Sequence, residues 1–289
     1  MNATRYVPAM TRAGLAPTHP VTAIDEHGAA RDARVAGERP LTLYVDKREI
    51  VTLMTLGTQP EALALGYLRN QGLIERLTDI KAVQADWEAE SVVVTTHRGI
   101  TGLEARTARR TVTSGCGQGT VFGNIMEKLE HVKLPQTQVR QSLIYGLLRS
   151  LNSYNEIYRS AGAVHGCALC RGTEVLMFVE DVGRHNAADA IAGHMWLEDL
   201  EGGDKIFYTT GRLTSEMVIK TAQMGIPVLL SRSGVTQMGL DLARRLGVMM
   251  IARAKGAHFL VYHRAADIVF DAPPAQRPGD HEAAQAGSA

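Results

Sequence analysis

Apolar and polar positions follow three different rhythms along this chain, and each rhythm predicts a different kind of element. Residues 41–45, 49–54, 80–86 and 91–96 are β-rich, some alternating and some continuously apolar. One helix interrupts them: Thr58-Gln59-Pro60-Glu61 matches a capping box with proline in the first turn and leads into residues 62–70. Thr137 opens a longer helix, in which Val139, Leu143, Ile144, Leu147, Leu148 and Leu151 recur at the spacing of one buried face. From Val164 to Tyr262 strands and helices alternate. Residues 175–179, 205–209, 226–230 and 248–252 read as strands. Residues 186–200 read as an amphipathic helix with Asn186 as its N-cap, and further helices run to Met224 and Leu246. Such alternation predicts a layered α/β domain on a largely parallel sheet.

The segments that follow these four strands share a chemistry that packing does not require. They are Glu180-Asp181-Val182-Gly183-Arg184-His185-Asn186, Thr210-Gly211-Arg212-Leu213-Thr214-Ser215-Glu216, Ser231-Arg232-Ser233-Gly234-Val235-Thr236 and Arg253-Ala254-Lys255-Gly256-Ala257-His258. Each offers a glycine and at least one cation, and most offer hydroxyls. Glycine and serine are ordinary turn residues, so one such loop means little. Four at the carboxyl ends of successive strands, where helix N-termini face a cleft, point to an anionic ligand such as a nucleotide. Arg184, Arg212, Arg253 and Lys255 are the candidates for neutralising it, and Asp181 or Glu180 the candidates for accepting from a guanine edge. Glu216 and Lys220 read as an ordinary i,i+4 helix pair worth about a few tenths of a kcal/mol. His185 is open between a proton carrier and a capping or packing residue.

Composition narrows the classes. With 31 Lys and Arg against 30 Asp and Glu, the net charge of +1 gives no whole-protein attraction to nucleic acid or to a membrane surface. No run reaches the roughly 18 apolar residues of a spanning helix, and the N-terminus has no secretory pattern. Three cysteines do not make a disulfide framework, so the expected compartment is the cytoplasm. Residues 1–18 and 272–289 lack periodicity and are expected to be a flexible N-terminal tail and a disordered C-terminal tail. Between them the chain divides near residue 130, into a β-rich N-terminal domain (19–130) and an α/β domain (131–271).

Cys116 lies in Ser114-Gly115-Cys116-Gly117, among glycines and small polar residues, with Arg109 and Arg110 upstream. It is either an incidental cysteine of a linker or a reactive thiol, since reactive thiols are accessible and have cations nearby. Cys167 and Cys170, in Cys-Ala-Leu-Cys, would point to opposite faces of a strand. They read as small strand residues rather than a redox or metal pair, and no metal site is expected.

These residues together resemble the formate dehydrogenase accessory sulfurtransferase family, FdhD, over roughly residues 21–271. The resemblance rests on the EDVGRHNA segment at 180–187, TGRLTSEMVIK at 210–220, RAKG at 253–256 and SGCG at 114–117. It implies a cytoplasmic sulfurtransferase that accepts persulfide sulfur from a cysteine desulfurase. The sulfur passes to the molybdenum of bis-molybdopterin guanine dinucleotide, which is required for formate dehydrogenase activity. It also implies a homodimer, a C-terminal domain resembling the cytidine deaminase fold, and GDP as a surrogate ligand. By the same resemblance Cys116 matches the persulfide-carrying cysteine. Ile251, Ala252, Arg253, Ala254, Lys255 and Gly256 correspond to the cofactor-contact segment. Asp181, Gly183, Arg184, His185 and Asn186, with Gly211, Arg212 and Ser215, would line the same pocket. Many members carry a second cysteine three residues after the first, whereas position 119 here is glycine. A non-catalytic cofactor-binding chaperone is therefore the alternative. A deaminase-like zinc enzyme lacks its His-x-Glu and Pro-Cys-x-x-Cys segments, and a cysteine hydrolase using His165 or His185 would leave the four loops unexplained.

Overall fold

The computed structural model describes residues 5–100, 132–272 and 274. Its N-terminal unit contains β1 (Ala9–Met10), β2 (Thr18–Ile24), β3 (Ala30–Ala36), β4 (Arg39–Val45), β5 (Arg48–Thr55), α1 (Pro60–Asn70), β6 (Ile80–Asp86) and β7 (Ser91–Thr96). Five of these strands form a sheet in the order β1-β6-β7-β4-β5, while β2 and β3 make a separate antiparallel hairpin. Period-two patterning sets the faces. In β4, Leu41, Leu43 and Val45 are buried while Thr42 and Tyr44 are partly exposed between them.

The second unit contains β8 (Val139–Arg140), α2 (Gln141–Leu151), α3 (Glu156–Ala161), β9 (His165–Arg171), β10 (Glu174–Asp181), α4 (Arg184–Leu197), β11 (Ile206–Thr209) and α5 (Ser215–Gln223). It continues through β12 (Val228–Ser231), α6 (Gln237–Leu246), β13 (Met249–Lys255), β14 (His258–His263) and β15 (Ile268–Val269). Its six-stranded sheet runs β10-β9-β11-β12-β13-β14. Residues of α4, α5 and α6 pack on one face with Cys167, Leu169, Phe207, Leu229 and Met250. Ile144, Leu147, Leu148 and Leu151 of α2 pack on the other with Ala168, Cys170, Tyr208, Leu230 and Ile251. The architecture is mixed α/β, as expected, but the sheet is less parallel than the alternation suggested. β11, β12 and β13 are mutually parallel; β9 and β14 are antiparallel to their neighbours.

The first core is continuous across both units, because α1 and α4 cross between the sheets. Here α4 departs from the expected amphipathic helix. Nearly every residue from Arg184 to Leu197 is buried, since α1 covers one side and β9 and β10 the other. A helix enclosed all round needs no polar stripe. Its N-cap is Gly183, and Asn186 sits inside the first turn.

Other boundaries shift for local reasons. The capping box at Thr58 does not form: Gln59 is the N-cap of α1 without a side-chain bond, and Pro60 occupies the first turn. Glu61 instead accepts from Thr11 Oγ1 at 2.6 Å and Ala13 N at 2.9 Å. That carboxylate is one reason the expected N-terminal tail is not a tail over its described part. β1 pairs with β6, Leu15 N donates to Gly57 O at 2.9 Å, and the Trp87 indole donates to Ala13 O. The helix expected from Thr137 begins at Gln141, because Val139 and Arg140 pair with Ile268 and Val269. At the other end Ala272 N still donates to Gln141 Oε1. The division near residue 130 lies outside the described residues.

Candidate cofactor site at the strand ends

β10 runs antiparallel to β9, and β9 antiparallel to β11, so β10, β11, β12 and β13 all point their carboxyl ends toward one edge of the sheet. His165, the first residue of β9, sits at that edge opposite Asp181. The loops are laced together there. Thr210 N donates to Gly166 O and Gly166 N to Thr210 Oγ1. Ser231 Oγ donates to Gly211 O at 2.7 Å, Leu213 N to Gly234 O at 2.9 Å and Arg253 N to Ser233 O at 2.9 Å. The segments after β11 and β12 and the end of β13 are thus tied together, Arg184 from the segment after β10 lies against Gly211, and α4, α5 and α6 begin directly after these segments.

Electrostatics mark the same spot. Burial, followed by the positive charges of Arg184, Arg232 and Arg212, pushes His165 below its usual pKa. Arg184 is buried, and its stem passes over Gly211, where a Cβ would come within 2.5 Å of Arg184 Cδ. Arg212, Arg232, Arg253 and Lys255 are exposed. An edge that collects several guanidinium groups and three helix N-termini is suited to phosphate or pyrophosphate.

The RAKG segment is not a loop before a helix. Arg253, Ala254 and Lys255 continue β13, and Gly256 lies in the turn to β14 with φ of 61°. Arg253 itself has φ of 50°, where the pairing of β13 with β14 is irregular. The side chains of Ile251, Ala252 and Ala254 lie in the cores. Of the six candidates in this stretch, only Arg253, Lys255 and Gly256 are exposed.

The two acids of the first loop are not available to read a base. Glu180 accepts from Ile157 N at 3.0 Å and Tyr158 N at 2.9 Å, which holds the start of α3. Asp181 accepts from Thr55 Oγ1 at 2.5 Å, Leu56 N at 3.2 Å, Gly183 N at 3.1 Å and Asn186 Nδ2 at 2.9 Å. Asn186 Nδ2 also donates to Met54 O at 2.6 Å. The end of β5 therefore braces the turn that opens α4.

Beneath the loops lies a buried polar chain, in which the expected Glu216–Lys220 helix pair is enclosed and Lys220 is drawn more closely to Asp189. Lys220 Nζ is 2.6 Å from both carboxylate oxygens of Asp189, whose Oδ1 also accepts from Asn70 Nδ2 at 2.7 Å. Glu216 is 3.9 Å from Lys220 and 3.3 Å from His185 Nε2. All five side chains are buried. Helical spacing made the pair visible; the covering of α5 on all sides did not follow from it.

His185 is held neutral inside this chain, pushed down to about 2 by burial and then by the charges of Lys220 and Arg184. The nearby Glu216 carboxylate opposes that shift, but it is shared with Lys220. A histidine whose folded pKa is depressed stabilises the fold fully above its unfolded value, and that contribution fades as pH falls toward the folded value. Below about pH 6 this residue should remove about 1.4 kcal/mol of stability per pH unit. Urea unfolding between about pH 7 and 5 checks this, with a shallower slope expected for His185→Gln. An unchanged slope would contradict the assignment.

Cys167 and Cys170 face opposite cores, as their spacing required, and so cannot ligate one metal ion or form one dithiol. Burial pushes each thiol up to about 12. Cys167 Sγ donates to Thr209 Oγ1 at 3.3 Å. Cys116, Arg109 and Arg110 lie outside the described residues. His165, which the sequence offers only as a hydrolase partner, and Arg232, which lies in the loop after β12, both stand at the strand-end edge. No helix of the described residues is long and apolar enough to cross a membrane, and among them no three potential metal ligands cluster.

A sequence model of the FdhD/NarQ family matches residues 36–269. The chain belongs to that family. Among its FdhD relatives, the sulfur carrier protein FdhD of Wolinella succinogenes is 30% identical over 79% of this chain and 80% of its own length. That of Geobacillus kaustophilus is 31% identical over 81% and 90%. A crystal structure described as a formate dehydrogenase accessory protein from Desulfotalea psychrophila superposes with a TM-score of 0.69. It shares 26% identity and covers 87% of this chain and 98% of its own.

Proposed function

We propose that this FdhD-family protein is a sulfur carrier serving a formate dehydrogenase. Cys116 takes persulfide sulfur from a cysteine desulfurase and passes it to the molybdenum of bis-molybdopterin guanine dinucleotide, bound as cargo. The observation that carries the reading is the convergence of four strand ends, with their arginines and helix N-termini, on one edge of the sheet. The names of the relatives agree with it.

In this reading Arg184, Arg212, Arg253 and Lys255 neutralise the pyrophosphates, and the first-turn N–H groups of α4 and α5, with Ser215, cradle phosphate oxygens. GDP is the expected surrogate ligand. For sulfur loading, the Cys116 thiolate attacks the outer sulfur of the donor persulfide. The donor's S–S bond breaks, its thiolate leaves, and a new S–S bond forms on Cys116. Cys167 and Cys170, buried with raised pKa values, are poor substitutes for the second cysteine that position 119 lacks. Homodimerisation, a cytoplasmic setting and a cytidine deaminase-like α/β unit belong to the same proposal.

Intact-protein mass spectrometry after incubation with a cysteine desulfurase and cysteine tests it. Reducible sulfur adducts are expected on the wild type and on Cys167→Ala/Cys170→Ala, and not on Cys116→Ala. Sulfur that persists on Cys116→Ala would overturn the carrier assignment. The Gly119 departure favours one second reading, a cofactor-binding chaperone that handles no sulfur, and that reading predicts no adduct on any form.

A further inference from the structure

With Glu180 and Asp181 engaged by backbone and side-chain donors, base recognition at this edge has to come from other groups. Two candidates stand at the rim. Arg232 follows directly after β12, and its guanidinium carbon lies 5.4 Å from the centroid of the Tyr158 ring. Tyr158 is 46% exposed, and its backbone is not loosely held. Its own N–H and that of Ile157 are fixed to Glu180, one residue before the Asp181 turn. Arg232 is close enough to His165, at the strand-end edge, for its charge to depress the imidazole pKa. The Tyr158 backbone is thus anchored to the elements that build the phosphate-binding edge, while its exposed ring and the Arg232 guanidinium lie in direct contact and would part to take a base between them.

We propose that Tyr158 and Arg232 form a stacking clamp for the nucleobase of a nucleoside diphosphate whose phosphates occupy the strand-end loops. The inference rests on the anion-site reading above and adds the base-recognition residues to it. An exposed aromatic face beside a cationic groove is the common platform for a base, because every base has a π-face and stacking adds to the phosphate attraction. The bland alternative is a surface cation–π contact that contributes slightly to stability and nothing to binding.

The two are separated by titrating the full chain with GDP and, separately, with inorganic pyrophosphate. The clamp predicts that Tyr158→Ala weakens GDP about tenfold, leaves pyrophosphate unchanged, and is rescued by Tyr158→Phe. Arg232→Ala should weaken both ligands, GDP more than pyrophosphate. Unchanged GDP affinity in Tyr158→Ala, or equal losses for both ligands, would overturn the clamp while leaving the phosphate site standing. Absence of both GDP and pyrophosphate binding in the wild type would overturn the clamp together with the anion-site reading beneath it.

Discussion

Replacing Gly66 or Gly193 by alanine should destabilise the whole protein, by about 3 kcal/mol or more. The two glycines face each other's helices where α1 crosses α4. A Cβ on Gly66 would stand 1.6 Å from the carbonyl oxygen of Asp189, and one on Gly193 would stand 2.0 Å from that of Ala62. Both obstacles are helical main chain, so no rotamer change relieves the clash. The helices would have to separate, and the core they share with both sheets would open with them. Thermal unfolding of Gly66→Ala and Gly193→Ala measures this. Gly146→Ala on α2 is the control, because its Cβ would meet the movable Thr173 methyl rather than backbone. Equal stability of all three would show that the crossing is more compliant than its geometry implies.

Lys220→Met should be of similar severity, costing about 3–5 kcal/mol, because it leaves Asp189 and Glu216 as buried carboxylates with no cation between them. Burial already raises the Asp189 pKa, with Lys220 as the main opposing influence. Without Lys220, Asp189 should take up a proton on folding, so the variant gains stability as pH falls, up to the point at which other groups fail. That sign is opposite to the one expected from His185. Denaturant midpoints for Lys220→Met and the Lys220→Met/Asp189→Asn pair would test it, the pair recovering part of the loss. A pair that is no better than the single variant would show that Lys220 acts through packing alone.

Much of this fold was legible because its strands obey simple periodicity. Residues 80–86 and 91–96 were read at their observed limits, since each has apolar positions on one face and turn residues at both ends. The order of loop chemistry along the α/β unit was legible for the same reason. What escaped the sequence depended on tertiary cover. Glu216 and Lys220 fit an ordinary helix pair by spacing, and only the placement of α5 over Asp189 makes them interior charges. Asn186 has the residue type of an N-cap, yet its amide is drawn to Asp181 and to Met54 O, a partner 132 residues away. Tyr158 carried no local signal, because its importance comes from Glu180 reaching across to α3. The RAKG stretch misled for a different reason. Its polar residues resemble a loop, but alternate positions are buried, and alternation in an edge hairpin looks much like a polar turn at this length.

The brace between β5 and the Asp181 turn bears on how this protein can be taken apart. The turn that opens α4 belongs by sequence to the α/β unit, but half of the donors on its central carboxylate come from Thr55 and Leu56 of the other unit. The strand-end edge is therefore not a transferable module. Recombining the α/β half of one relative with the β-rich half of another would exchange the supports of the cleft along with the scaffold, and residues 54–56 would have to travel with Asp181 and Asn186 as a single unit of inheritance.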